Sequence, residues 1–321
     1  MAMTAQTIPV LDLKDFVGDV ATAQTSKVFV QSMGTALCEL GFFALINHGI
    51  EQRIINAAYG AAEAFFALPE DSKTQYEIAE LNGQRGFTRF GKEHAKDSQT
   101  PDLKEFWHVG RVNTTHIASS QPDNVWPREV PQFQPVMSTL FQQLETCASY
   151  LMEACAQYLQ QPQRLFTEQV AEGHTILRII HYPPVSADAT PTSQRAAPHE
   201  DINLITLLCE ATTPGLELLS PKGEWLPIQT LPGQIIVDTG DMLQSLSNGL
   251  LKSTTHRVVN PNSSRDRRFS MPFFVHPRPD FDLTPLSSCI TQTGGTQLFP
   301  SQTAGQYLQQ RLKEIGLASA T

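Results

Sequence analysis

Three short stretches of this 321-residue chain carry residues that could do chemistry together: Pro198-His199-Glu200-Asp201, Thr255-His256-Arg257 and Arg268-Phe269-Ser270. Two imidazoles and one carboxylate form a set that holds iron(II) on one face and leaves the opposite positions for oxygen and substrate atoms. A closed structural zinc site would want four ligands, commonly with cysteines, and no cysteine adjoins His199, Asp201 or His256. His199 and Asp201 are two residues apart, so on a strand both side chains leave the same face. Arg268 and Ser270 share that spacing, which aims a guanidinium and a hydroxyl the same way. A planar, permanently charged fork suits a carboxylate, and the serine adds a donor beside it. The flanking Phe269, Met271, Pro272, Phe273 and Phe274 imply a desolvated setting. An arginine there without a partner is costly, and a bound dicarboxylate would satisfy it. Taken singly, the histidines could be ordinary hydrogen-bonded ones and the arginine could pair with a surface acid. The combination points to a site.

For these residues to meet, distant segments must be brought alongside. The first half reads as helical. A helical pattern over 26–40 breaks at Gly41, and the apolar run Phe42–Ile46 reads as a strand. Residues 51–68 read as a helix ended by Pro69. A long helix from about Val136 to Leu159 carries Val136, Leu140, Leu144, Cys147, Leu151 and Cys155 in steps of three or four, one continuous buried stripe. After Gly173 short apolar runs alternate with turn signals: Thr175–Tyr182, Ile202–Leu208, Leu216–Leu219, Ile235–Val237 and His256–Val259, the last followed by Asn260-Pro261-Asn262. Strands this short and this regularly punctuated predict an all-β sandwich or barrel. The chain is thus helical first and β second, with the chemistry in the β half.

Composition narrows the function. The net charge is −9, with no Lys/Arg block, which argues against a nucleic-acid backbone or an anionic membrane surface as partner. Five cysteines without Cys-x-x-Cys spacing read as reduced thiols of a cytoplasmic protein. Met1 to Phe16 shows no secretory pattern, and no apolar run has the length to span a bilayer.

The sequence resembles the isopenicillin N synthase-like family of 2-oxoglutarate- and iron(II)-dependent dioxygenases along nearly its whole length. The resemblance rests on Gly41-Phe42-Phe43, Asn47-His48-Gly49-Ile50, Asp102-Leu103-Lys104-Glu105-Phe106, His181-Tyr182-Pro183-Pro184, His199-x-Asp201, Ser247-Asn248-Gly249, His256-Arg257-Val258, Arg268-x-Ser270 and the C-terminal Thr303–Leu308. It implies an α+β fold with a mainly β core, a double-stranded β-helix (jelly roll) flanked by helices that include one long backbone helix. One oxygenase unit would fill residues 1–321: an N-terminal helical and strand region at 1–120, the long helix within 121–172, the jelly-roll core at 173–280, and a C-terminal loop and helix at 281–321. His199, Asp201 and His256 would be the iron ligands and the catalytic centre. Arg268 and Ser270 would hold the distal carboxylate of 2-oxoglutarate, with Tyr182 near its keto-acid end. With Fe(II), 2-oxoglutarate and O2, a small-molecule substrate would be hydroxylated, desaturated or ring-closed as 2-oxoglutarate is decarboxylated to succinate. A monomer is expected.

The chain departs from the family at two places. Plant members often carry Asn two residues before the tyrosine, where this chain has Ile180. In the segment Gly86–Glu93, Arg89 stands where Pro is frequent, so Arg89 or Lys92 would bind an anionic group of the substrate, or else be solvated surface charges. Phe274 would wall the pocket or belong to the core. Tyr182 could also be a packed strand tyrosine. A single Asp238-Thr239-Gly240 lacks the second carboxylate of an aspartic protease and reads as a turn preceding a strand. Asn47-His48-Gly49 reads as a turn before the helix at 51. Two alternatives stay open here: an iron oxidase of the isopenicillin N synthase type that needs no 2-oxoglutarate, and a catalytically silent ligand-binding protein on the same fold.

Overall fold

The strands of the β half alternate strictly between two burial environments, and this alternation builds the site. The computed structural model describes residues 8–19, 21–94, 102–112, 122–184, 195–229, 231–259 and 266–317; the turn expected at Asn260–Asn262 lies outside them. From the N-terminus, β1 (Val10–Asp12) leads to α1 (Ala23–Glu39), whose start is closed by a Thr22/Thr25 capping box. Then β2 (Phe42–Ile46) follows and pairs in parallel with β1. Asn47 and Gly49 both take positive φ, making the expected turn into α2 (Gln52–Phe66), which stops just short of Pro69. The short α3 (Glu70–Thr74) precedes a hairpin-like pair, β3 (Gly86–Thr88) and β4 (Glu105–Gly110).

The predicted long helix is α4 (Phe133–Tyr158), followed by α5 (Leu165–Ala171). Leu140, Leu144, Cys147, Leu151 and Cys155 are buried as the stripe required, and α4 packs against α1, α2 and α5. Beyond it come β5 (Ile176–Tyr182), β6 (Ala196–His199), β7 (Ile205–Leu208), β8 (Leu216–Leu219) and β9 (Trp225–Pro227). They are followed by β10 (Ile235–Thr239), α6 (Asp241–Leu246), β11 (His256–Val258), β12 (Arg268–Ser270) and β13 (Pro272–Val275). Two helices, α7 (Ser287–Gln292) and α8 (Ala304–Glu314), finish the described chain.

Among the described residues the strands form two sheets. The larger runs β1-β2-β10-β7-β13-β5-β4-β3, with β12 also paired to β5, and the smaller runs β6-β11-β8-β9. In the larger sheet Phe43, Leu45, Leu177, Ile179, Ile205, Leu207, Ile235, Val237, Phe269, Met271 and Phe273 pack toward the helices. Their neighbours of opposite parity face the smaller sheet: Phe42, Ile180, Tyr182, Thr206, Leu208, Ile236, Asp238, Arg268, Ser270 and Phe274 line the space between the two sheets. Burial on both faces explains why these strands read as continuous apolar runs rather than clean alternation. It also explains why polar residues at one parity stand out.

One expectation is corrected here. Asp238 and Thr239 are the last residues of β10, not a turn before a strand, and Gly240 caps α6. The chain passes from strand to helix there because the amides of Gly240, Asp241 and Met242 donate to the carbonyls of Leu204, Asp201 and Asn203.

Candidate metal and cosubstrate centre

His199 ends β6, and antiparallel register sets it directly opposite His256, the first residue of β11. Their ring centroids lie 4.4 Å apart. Each Nδ1 faces a backbone carbonyl two residues back, His199 to Ala197 at 2.7 Å and His256 to Thr254 at 3.1 Å. A carbonyl only accepts, so Nδ1 carries the proton and Nε2 presents its lone pair, the form that binds a metal. The two Nε2 atoms lie 3.9 and 3.7 Å from the same Asp201 Oδ1. The ligand atoms of all three residues fall within 4.8 Å of one another, the one such cluster among the described residues. Burial, then the His256 ring, pushes the His199 imidazole down to about 4, against the pull of Asp201. Neutral imidazoles, one carboxylate oxygen and no fourth side-chain ligand suit an open iron(II) site.

The route by which Asp201 arrives differs from the expectation. β6 stops at His199, so Asp201 lies in the bend beyond the strand rather than on its face. The bend is held by the Asp241 amide, which donates to the Asp201 carbonyl at 2.7 Å.

The expected cosubstrate residues form one cross-strand block. Arg268 pairs with Tyr182 and Ser270 with Ile180 in β12–β5 register, and all four line the inner cavity. Arg268 is 1% exposed. Its Nε donates to the Thr213 carbonyl at 3.1 Å, its guanidinium lies 5.1 Å from the Tyr182 ring centroid, and its Nη1 is buried without a protein partner. Ile180 sits opposite Ser270 and gives the cavity an apolar wall there. Phe274 walls the same cavity, with the Arg178 guanidinium 5.3 Å from its ring centroid.

Arg89 and Lys92 are not brought to this centre. The Arg89 side chain is 61% exposed and pairs with Glu77 at 3.5 Å, and Lys92 pairs with the same carboxylate at 2.9 Å. Neither lines the cavities that adjoin the cluster.

Several residues at the centre escaped the sequence reading. A second buried arginine, Arg195 (0% exposed), leaves Nε and Nη1 without protein partners while Nη2 donates to the Asp266 carbonyl. Burial, then the Arg268 charge, lowers its affinity for its proton. An ionic network walls a second pocket beside His199 and Asp201. Arg178 donates to both Glu93 oxygens at 3.0 Å and to His108 Nε2 at 2.6 Å. Lys104 pairs with Glu93 at 2.6 Å and Asp102 at 2.8 Å, and Asp102 accepts from the Ala197 amide beside His199. Burial alone would raise the Glu93 carboxyl, but Arg178 and Lys104 outweigh it and hold it far below the ordinary range. The same pocket is also lined by Ile176, Ile202, Leu308, Leu312 and Ile315, the last three from α8 and the turn after it. Only the parity of Arg178 within β5 and the run Asp102-Leu103-Lys104 hinted at it, because salt-bridge partners so far apart in sequence are not legible without the fold.

A jelly roll with two histidines and a carboxylate clustered between its sheets, and a buried arginine with one unpartnered guanidinium nitrogen lining the same cavity, suits an oxygenase that uses iron and an oxo-acid. Comparison with known proteins agrees. Residues 8–129 match the N-terminal family model described as non-haem dioxygenase in morphine synthesis, and residues 173–277 match the 2OG-Fe(II) oxygenase superfamily. A proline hydroxylase from Petromyces alliaceus is 30% identical over 317 residues, 94% of this chain and 97% of its own length. A 2OG-Fe(II) oxygenase family protein from Caulobacter crescentus is 38% identical with a TM-score of 0.83, covering 97% of this chain and 99% of that one. Full-length Neurospora crassa T7H, solved with alpha-KG and thymine, is 25% identical with a TM-score of 0.84, covering 97% and 98%. The chain belongs to the 2OG-Fe(II) oxygenase superfamily. It is a 2-oxoglutarate- and iron(II)-dependent dioxygenase that acts on small molecules.

Proposed function

We propose that His199, Asp201 and His256 hold the iron, that Arg268, Ser270 and Tyr182 receive 2-oxoglutarate, and that the reaction hydroxylates a small polar, nitrogen-containing molecule. The observation that carries this is the buried, unpartnered Nη1 of Arg268 in the cavity that also holds the His–Asp–His cluster. A buried cation left so is costly, and a dianionic cosubstrate relieves the cost. Arg195 adds positive potential at the same end of the cavity. Iron bound here would supply the activation of O2 that couples 2-oxoglutarate decarboxylation to C–H oxidation: substrate C–H, O2 and 2-oxoglutarate become C–OH, succinate and CO2. The chain's own contribution is to orient and to exclude water.

The second pocket, lined by the ionic network and by residues of α8, is where we seat the substrate. Its mixed walls support an amphipathic molecule about the size of an amino acid or a pyrimidine. Named similar proteins include a proline hydroxylase, a homoarginine-6-hydroxylase from Oryza sativa and the T7H complexed with thymine. We regard the chain as one oxygenase unit working as a monomer, since both sheets contribute to one cavity. Five free cysteines support a reducing cytoplasmic setting, and no described helix is long and apolar enough to cross a membrane. The test is succinate release from 2-oxoglutarate with Fe(II), O2 and a panel of amino acids and pyrimidines. Substrate-stimulated succinate with an oxygenated product is expected. Oxygen uptake independent of 2-oxoglutarate would overturn the assignment in favour of an oxidase.

A further inference from the structure

We infer that Thr206 and Asn203 form a positioning relay that dedicates one oxygen of Asp201 to the metal. This rests on the proposal that Asp201 is an iron ligand. The Thr206 hydroxyl donates to Asp201 Oδ2, and Asn203 Nδ2 donates to the same hydroxyl at 2.9 Å. The direction of the relay is dictated by chemistry. A carboxylate ligand only accepts, and a hydroxyl has one proton, so the Thr206 proton goes to Asp201. Its oxygen is then left to accept, and only the Nδ2 side of Asn203 can meet it; the flipped amide would set oxygen against oxygen and compete for that proton.

The consequence is an asymmetric carboxylate. Oδ2 is occupied by Thr206, while Oδ1 alone faces both His Nε2 atoms at 3.7 and 3.9 Å. A carboxylate free to rotate could present both oxygens and occupy a position the reaction needs open. With Oδ2 tethered, Asp201 offers one.

Asn203 is itself fixed at a cost. It is 0% exposed, and its Oδ1 is buried without a partner, which an apolar side chain would avoid. Its carbonyl accepts from the Met242 amide at 3.0 Å. A Cβ on Gly240 would come within 2.2 Å of that carbonyl and 2.3 Å of Oδ1, so the strand-to-helix junction must be glycine for Asn203 to seat. Thr206 is also the polar member of the β7 run Ile205–Leu208, at the parity that faces the cavity.

The test is binding of Fe(II), anaerobically, and of Co(II), with its visible spectrum, to the full chain and its variants. Thr206→Val keeps the shape and removes the proton. It is expected to fold, by circular dichroism, and to lose roughly tenfold to a hundredfold in metal affinity, with an altered Co(II) spectrum as the coordination changes. Thr206→Ser restores the proton and should return affinity and spectrum to the wild-type range. Asp201→Ala separates the two claims. If it binds metal as wild type does, Asp201 is no ligand. If it loses binding while a folded Thr206→Val keeps wild-type affinity and spectrum, the ligand stands and the relay is overturned.

Discussion

Arg268 and Ser270 show how far single residues carry a functional argument. Their types and spacing indicated a carboxylate site in an apolar setting, and both line the inner cavity, with Arg268 Nη1 unpartnered. Removing one partner of a buried charge pair costs about 2–5 kcal/mol, which is roughly thirtyfold or more in binding. Arg268→Met is therefore expected to raise the KM for 2-oxoglutarate by at least about that factor. Arg268→Lys should recover little, because a point charge does not reproduce the planar fork. Succinate release against 2-oxoglutarate concentration measures both, and an unchanged KM in Arg268→Met would remove the arginine from the cosubstrate site. Arg89 and Lys92 teach the opposite lesson. Their charges were legible, but Glu77, which holds both, was not identifiable as their partner until the chain had folded.

At the scale of elements, the junction between β10 and α6 does more than connect them. The amides of Gly240, Asp241 and Met242 hold the bend Asp201–Leu204 from behind, so the carboxylate that the cluster needs is placed by a strand end and a helix start far away in sequence. Gly240→Ala keeps an ordinary backbone region, yet its methyl meets Asn203. Overpacking of this kind costs about 1–3 kcal/mol. The expected result is a lower Tm together with weaker iron binding, as the bend is pushed out of register. A variant with wild-type Tm and wild-type metal affinity would show that the junction has slack.

Across the whole molecule, the larger sheet divides the interior into two compartments, an apolar one under the helices and one between the sheets where a second apolar cluster surrounds the polar residues of the site. A buried histidine just beyond β13, His276, makes stability depend on pH. Burial, then His174, pushes the His276 imidazole down from its ordinary 6.5 to about 3. Between those values the unfolded chain binds a proton that the folded chain refuses, so stability falls as pH is lowered from about 6.5 toward 3. The Tm of the metal-free protein should decline from pH 7 to pH 5, and His276→Phe should make that decline shallower. Parallel slopes for the two proteins would contradict this.

The helices, the strand-rich second half and the residue types of the centre were readable because they depend on local quantities: periodicity of 3.6 or 2, turn residues, and ligand chemistry at short spacing. The long α4 stripe and the parity of Arg268, Ser270 and Phe274 are of that kind. What depended on tertiary structure were meetings between segments without any fixed sequence offset. His256 faces His199 only through β6–β11 register, and Asp201 reaches them from a bend rather than a strand face. Arg178, Glu93, Lys104 and Asp102 become one wall only when β4 and β5 pair near the segment that carries Glu93. The sequence by itself determined which atoms were available for the chemistry. The packing of two sheets decided which of them share a cavity, because side-chain distances across strands are set by register and burial rather than by position along the chain.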